Sequence, residues 1–218
     1  MDYYQDLFSA ATKIFTLEDQ TMIYRFMFVG YSKDVHSVKI TADKRYYVSL
    51  SYRECHECNA YKVYMYVESN EENVSPELLA DGALMKYPNG TKWERANEIF
   101  HYSRPVNKEQ WRRKAKQKTP YIMVNRLKPE KVSSYIYYHY QYQEEYPGDG
   151  DRYGVIYLHG QQMVFYLEHP TEAETETIEG ALHTKHTPID QWQTLMDEHF
   201  ADQWRGIENL EFSDYIKF

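Results

Sequence analysis

The feature that most constrains the fold is the order of strand and helix signals in the second half of the chain. A β-rich run at Thr119–Leu127 precedes Pro129 and Glu130, and a proline with a neighbouring acid is typical of a first helical turn. The helical stretch Val132–Glu145 then ends at the breaker Tyr146–Gly150. Two strand-like runs, a second helix and a closing strand follow, at Arg152–Leu158, Gln162–Glu168, Thr187–Phe200 and Glu208–Phe218. This β-α-β-β-α-β order predicts a ferredoxin-like unit.

The first half of the chain carries a less regular version of the same signals. Strand-like runs occur at Met22–Val29, Arg45–Tyr52 and Ala60–Glu68. Helix signals occur at Ser75–Glu77 and within Lys92–Lys118. The first half is therefore predicted to be a divergent unit of the same α+β kind.

A short motif recurs at corresponding places in the two halves. His101–Trp111 is HYSRPVNKEQW and Leu182–Trp192 is LHTKHTPIDQW, so each has a basic residue at its fourth place and ends in acid-Gln-Trp. Recurrence after roughly 80 residues indicates an internal repeat of supersecondary size. We therefore predict an α+β fold of tandem ferredoxin-like (βαββαβ) halves, packed as an intrachain dimeric α+β barrel. The halves are residues 1–118 and 119–218, and the boundary falls near Lys114–Pro120.

Charge and hydrophobic pattern exclude several classes of protein. Lys and Arg number 25 and Asp and Glu number 33, for a formal net charge of −8. A binder that neutralises phosphates needs a basic surface, so this balance argues against a nucleic-acid partner. No apolar run approaches the ~18–20 residues that span a bilayer. The N-terminal sequence MDYYQD lacks the basic start of a secretory signal, and we expect a soluble cytoplasmic protein with no membrane partner.

The two cysteines of the sequence, Cys55 and Cys58, lie between two strand-like runs. A pair of thiols cannot frame a disulfide-rich fold. A structural zinc ion needs four ligands, and the sequence holds no second CxxC motif. We predict a hairpin connection at this place, and leave metal binding or redox use by the pair open.

One face of the predicted helix Val132–Glu145 carries a histidine among tyrosines. Residues three, four and seven apart share a helix face, so Tyr135, His139 and Tyr142 or Gln143 form one stripe. Imidazole titrates near neutrality and can give or take a proton, and tyrosine hydroxyls can orient a hydroxylated substrate. The structural alternative is a partly buried histidine that hydrogen-bonds to a neighbour.

These residues also carry a resemblance to a known family. The sequence LKPEKVSSYIYYH at Leu127–His139 resembles the opening of L-rhamnose mutarotases, in which a Pro-acid pair precedes a helix with Tyr-x-x-x-His. Arg152–Leu158 (RYGVIYL) is similar to the second strand of that family, and Met163–Glu168 to its third. Asp190–Met196 (DQWQTLM) resembles its late helix. The resemblance covers residues 121–218, with every element in order.

The resemblance implies an isomerase that interconverts the anomers of a small aldose such as L-rhamnose without a cofactor. It implies a ferredoxin-like fold that usually pairs as a dimer, so we expect a homodimer or an intrachain pseudo-dimer. It assigns acid/base catalysis to His139 and sugar contacts to Tyr135 and Trp192. Tyr157 would add a further hydroxyl to the same pocket. The expected partner is a small-molecule sugar, and no metal is expected.

Departures from the family leave other functions open. The family has Trp-Pro-Glu after its histidine where this chain has Gln143–Glu145, and Gln193 replaces its second late tryptophan. The alternative is therefore a non-catalytic small-ligand-binding or interaction module on the same fold. A third possibility is an oxygenase or haem-type member of the wider dimeric α+β barrel class. The second acid/base group stays open among Glu144, Glu145 and Glu168.

Overall fold

Strands dominate the described part of the chain because Val, Tyr, Phe and Met recur at alternate positions in it. The computed structural model describes residues 22–105, 110–115, 117–146, 150–173 and 191–201, and the backbone alone of 211–216. Its strands are β1 (Tyr24–Ser32), β2 (Lys39–Ile40), β3 (Tyr47–Cys55), β4 (Ala60–Ser69), β5 (Ala80–Asp81), β6 (Glu94–His101), β7 (Thr119–Arg126), β8 (Val155–His159), β9 (Gln162–His169) and β10 (Glu211–Ile216). Its α-helices are α1 (Val132–Glu145) and α2 (Trp192–Asp197).

Eight of these strands form one antiparallel sheet in the order β10-β3-β4-β1-β6-β8-β9-β7. Seven of its eight strands curl into a nearly closed, barrel-like arrangement. The remaining two, β2 and β5, pair with each other as a separate small sheet. Strands from both halves of the chain therefore share one continuous sheet.

Strand β6 joins the two parts of this sheet by changing partner along its length. Its first residues pair with β1, with Met27 opposite Ala96. Its last residues pair with β8, with His101 opposite Val155 and a register shift between Glu98 and Phe100. A bulge of this kind bends a strand, which suits the place where an open sheet turns toward closure.

Side-chain alternation divides the sheet into an inner and an outer face. Side chains from seven strands pack together on the inner face and form one core. Its members are Met27, Val29, Tyr47, Tyr64, Tyr66, Ala96, Ile122, Val155, Tyr157, Val164 and Tyr166. One outer core contains Val48 and Met65 together with Ala80 of β5. The other lies between α1, α2 and the sheet, and contains Phe100 and Met163.

One end of the inner face is occupied by a buried ion network. The guanidinium of Arg113 donates to Glu68 with Nη1–Oε2 and Nη2–Oε1 distances of 2.6 and 2.8 Å. It also donates to Glu168 with Nη2–Oε1 and Nε–Oε2 distances of 2.6 and 3.2 Å. Both glutamates are completely buried. Burial alone would raise the pKa of Glu68, but the charge and hydrogen bonds of Arg113 outweigh it and leave that pKa below its usual value.

Three tyrosines from different strands complete this network. Tyr47 and Tyr166 both donate to Oε1 of Glu168, at 2.9 and 2.8 Å. Tyr66 donates to Oε1 of Glu68 at 2.8 Å. The rings of Tyr66 and Tyr166 stack with their centroids 3.6 Å apart. Strands β3 and β4 are thus connected to β9 across the inside of the sheet.

The predicted tandem ferredoxin-like fold is wrong. Residues 119–169 do follow the strand-helix-strand-strand order, and α1 has the predicted bounds Val132–Glu145. The closing strand β10, however, pairs with β3 of the first half. The sheet also continues from β8 through β6 into the first half, so no separate βαββαβ sheets form. The intrachain pseudo-dimer belongs to that predicted fold and falls with it.

The helices predicted in the first half are also replaced by other structure. The helix signal at Ser75–Glu77 corresponds to a single 3-10 turn, Pro76–Leu78. Strand β6 occupies the first part of Lys92–Lys118, because buried Ala96 and its exposed neighbours follow a period of two. In the predicted repeat, residues 106–109 and 182–190 lie outside the described residues.

Within the described residues, no helix is long and apolar enough to cross a membrane.

The ion network gives a stability prediction. Replacing Arg113 by methionine leaves two buried carboxylates without a counter-charge, so we expect the free energy of unfolding to fall by about 3–5 kcal/mol. Chemical denaturation measures the change. The matched variant Arg112→Met alters an exposed neighbour and should shift the free energy by less than about 0.5 kcal/mol. Equal, small effects of the two substitutions would contradict the network.

Candidate functional site

The structure brings three of the four predicted site residues together. Tyr135, His139 and Trp192 meet in the core between α1, α2 and the outer face of the sheet. The ring of His139 lies with its centroid 4.2 Å from that of Tyr135 and 5.1 Å from that of Trp192. Tyr157 belongs to the inner face of β8 instead, so the sheet separates it from the other three.

His139 is enclosed by its neighbours. Only 7% of the residue is exposed, and its Nδ1–H donates to the backbone carbonyl of Tyr135 at 2.8 Å. The ring of Phe100 lies 5.1 Å away, centroid to centroid. Burial lowers the pKa of His139 to about 4, with His199 adding to the shift and the hydrogen bond opposing it. The imidazole is therefore neutral at pH 7, and its surroundings are aromatic.

A different set of residues surrounds open space. A cavity of about 530 Å³ lies beside β6 and the turn between β8 and β9. Its lining is mostly polar, and consists of Asn89, Thr91, Trp93, Glu94, Arg95, Asn97, Leu158, His159 and Gly160. None of the four residues predicted from the sequence lines this cavity.

Two titratable residues among those that line the cavity form a pair. Nε2 of His159 lies 3.0 Å from Oε2 of Glu94. Burial lowers the pKa of His159 and the nearby Lys62 lowers it further, although Glu94 opposes the shift. The imidazole is thus neutral at neutral pH, and it can donate Nε2–H to the carboxylate while Nδ1 keeps its lone pair. A base held by a carboxylate is the arrangement that general-base chemistry uses.

A second polar cluster lies next to this pair on the inner face. Nζ of Lys62 donates to Oε1 of Gln162, which also accepts from the hydroxyl of Tyr64 at 3.1 Å. Burial and the neighbouring Arg53 lower the pKa of Lys62 to about 8. Because Gln162 lies three residues after His159, this end of the sheet collects a cation, an imidazole and a carboxylate.

The predicted hairpin connection at the two cysteines is confirmed. Cys55 and Cys58 flank the turn between β3 and β4, and a disulfide joins them. Among the described residues, no group of three or more His, Cys, Asp or Glu side chains is placed to hold a metal ion.

Sequence reasoning missed the Glu94–His159 pair for two reasons. Glu94 lies in the segment Lys92–Lys118, where helix signals occur, and His159 lies between the strand-like runs Arg152–Leu158 and Gln162–Glu168. The usable signal is the period of two: Glu94 shares a face with Ala96, and His159 with Tyr157. That pattern would have placed both side chains toward the inner face, but not next to each other.

No protein-family profile, no curated protein and no solved structure matches this chain. The resemblance to L-rhamnose mutarotases, and the roles that it assigns, therefore stay predictions.

The environment of His139 predicts a pH-dependent loss of stability. Unfolding returns its pKa from about 4 toward 6.5, so the unfolded chain takes up a proton over this range and the folded chain does not. The free energy of unfolding should fall by about 3 kcal/mol as the pH drops through it. The His139→Phe variant should lack this contribution in denaturation series at pH 7 and pH 4. Parallel pH dependence in both proteins would contradict the burial of His139.

Proposed function

We propose that the cavity beside β6 binds a small hydroxylated ligand of the monosaccharide class. The observation that carries the proposal is the Glu94–His159 pair in the wall of this cavity. A volume of about 530 Å³ falls within the usual range for small-ligand sites, and it exceeds the size of one sugar ring. Hydroxyl groups need closely spaced donors and acceptors, which the lining supplies.

Different lining residues suit different parts of such a ligand. Asn89, Thr91 and Asn97 offer amide and hydroxyl groups, each of which both donates and accepts hydrogen bonds. The carboxylate of Glu94 accepts from hydroxyl groups. Leu158 supplies an apolar surface for the C–H face of a ring. This mixture favours a neutral polyhydroxylated molecule over an apolar one.

The same pair supports anomer exchange as the reaction. Opening a hemiacetal ring requires a base to remove the anomeric hydroxyl proton while an acid protonates the ring oxygen. Nδ1 of neutral His159 can act as the base, because Glu94 holds the ring through Nε2. A water molecule or the ammonium of Lys62 can supply the other proton. No metal or redox cofactor enters this scheme.

The catalytic acid/base residue is then His159, and not His139 as the sequence resemblance implies. A substrate that reached His139 would have to displace the packing of Phe100 and Trp192 around its ring. His159 is among the residues that line the cavity, and 16% of its side chain is exposed. The non-catalytic module predicted as the alternative corresponds to binding in this cavity without anomer exchange.

Binding is tested by ligand-observed NMR against a panel of aldoses that includes L-rhamnose. We expect saturation transfer to at least one sugar in the panel. Replacing either Glu94 by Gln or His159 by Ala should weaken that binding by roughly 10–100-fold, because each removes a hydrogen bond to a charged or strongly polar group. His139→Phe serves as the control and should bind as the original protein does. Binding that depends on His139 and not on Glu94 or His159 would place the site elsewhere.

Anomer exchange is tested on the same sugars by magnetisation-transfer NMR at pH 7. The original protein should exceed the spontaneous rate, and His159→Ala should lose roughly a hundredfold or more of that excess. Because burial and Lys62 lower the pKa of His159, the fall in rate on acidification should lie at a lower pH than for a free imidazole. Sugar binding without any rate excess would leave the binding module as the function.

A further inference from the structure

The turn between β3 and β4 presents a disulfide at the surface. Cys55 and Cys58 are bonded to each other across a Cα–Cα distance of 5.4 Å. Cys58 is exposed and Cys55 is half-buried, and both residues between them, His56 and Glu57, are exposed. Cys58 is therefore the more exposed of the two bonded residues.

This disulfide contributes little that the hairpin does not already have. It joins residues only three apart, and the stabilisation from cross-linking an unfolded chain is smallest for the shortest loops. Nine residue pairs, from Tyr47–Glu68 to Cys55–Ala60, already fix the register of β3 and β4. The backbone N–H of Cys58 also donates to the carbonyl of Cys55 at 3.2 Å. The hairpin should keep its structure when the sulfurs separate.

We propose that the Cys55–Cys58 disulfide is a reversible thiol–disulfide exchange site, open to small thiols of the glutathione class. This inference is independent of the proposed sugar site, because no residue of the 55–58 loop lines that cavity. Exposed disulfides are among the labile ones, and of these two residues Cys58 is the more exposed.

The exchange proceeds in two successive thiolate attacks. An incoming thiolate attacks Sγ of Cys58, forming a mixed disulfide while the Cys55–Cys58 bond breaks. The electron pair of that bond leaves on Sγ of Cys55, which then takes a proton. A second thiolate attacks the sulfur of the bound small thiol, the mixed disulfide breaks, and the oxidised small-molecule disulfide is released. The electron pair of the broken bond leaves on Sγ of Cys58, which takes a proton, so two protein thiols result. Two small thiols thus supply the two electrons that reduce the protein.

The first test uses the full chain after air oxidation, with no denaturant. Reduced glutathione is added, the reaction is quenched with acid, and free thiols are alkylated and counted by mass spectrometry. We expect two alkylated cysteines in protein whose circular dichroism spectrum and melting temperature stay close to those of the oxidised form. Alkylation only after denaturation, loss of the native spectrum on reduction, or free thiols before glutathione is added would each overturn the proposal.

The second test identifies the attacked sulfur with matched single variants. Cys55→Ser leaves Cys58 as a lone thiol, and Cys58→Ser leaves Cys55. With oxidised glutathione, the Cys55→Ser protein should form a mixed disulfide roughly tenfold faster than the Cys58→Ser protein. The reason is that Cys58 is the more accessible of the two residues. Equal rates, or a faster reaction at Cys55, would overturn the assignment of Cys58 as the site of attack. Neither variant alters the core, since both residues lie at the hairpin turn.

Discussion

The guanidinium of Arg113 holds two fully buried carboxylates from opposite parts of the sheet. Glu68 lies on β4 and Glu168 on β9, and each would be very costly to bury alone. Arg113 and the tyrosine hydroxyls supply hydrogen-bond partners to both of these carboxylates. The network connects strands that are not neighbours in the strand order, and so holds opposite parts of the curled sheet together.

The two ends of the inner face differ in a way that suggests a division of roles. At the Arg113 end, tyrosine rings and ion pairs fill the space between the strands. At the other end, Glu94 and His159 pair with each other beside the cavity, and Lys62 is held by a neutral amide rather than a carboxylate. Charged groups with neutral or weak partners are costly to keep for stability alone, so this end is the better place for a ligand.

Local elements were predictable from the sequence, but their long-range pairing was not. The bounds of α1 follow from Pro129, which opens the 3-10 turn Pro129–Lys131 just before it, and from the Pro-Gly breaker beyond its end. These signals act within a few residues. The pairing of β10 with β3 has no local signal, since a similar alternation would suit pairing with β7. The Glu94–His159 pair spans 65 residues, and Arg113 reaches Glu168 across 55. Residue patterns indicate which face a side chain occupies, but not which distant residue it meets.

Both halves of the chain form one curled sheet, and side chains from opposite parts of its inner face touch each other. The most direct measurement is a nuclear Overhauser contact between the rings of Tyr66 and Tyr166, whose centroids lie 3.6 Å apart. Tyrosine-labelled protein should give strong cross-peaks between these two rings, and they should vanish in both Tyr66→Phe and Tyr166→Phe when only tyrosine carries the label. Two assigned rings without a mutual cross-peak would mean that β4 and β9 do not meet, and the account would be wrong.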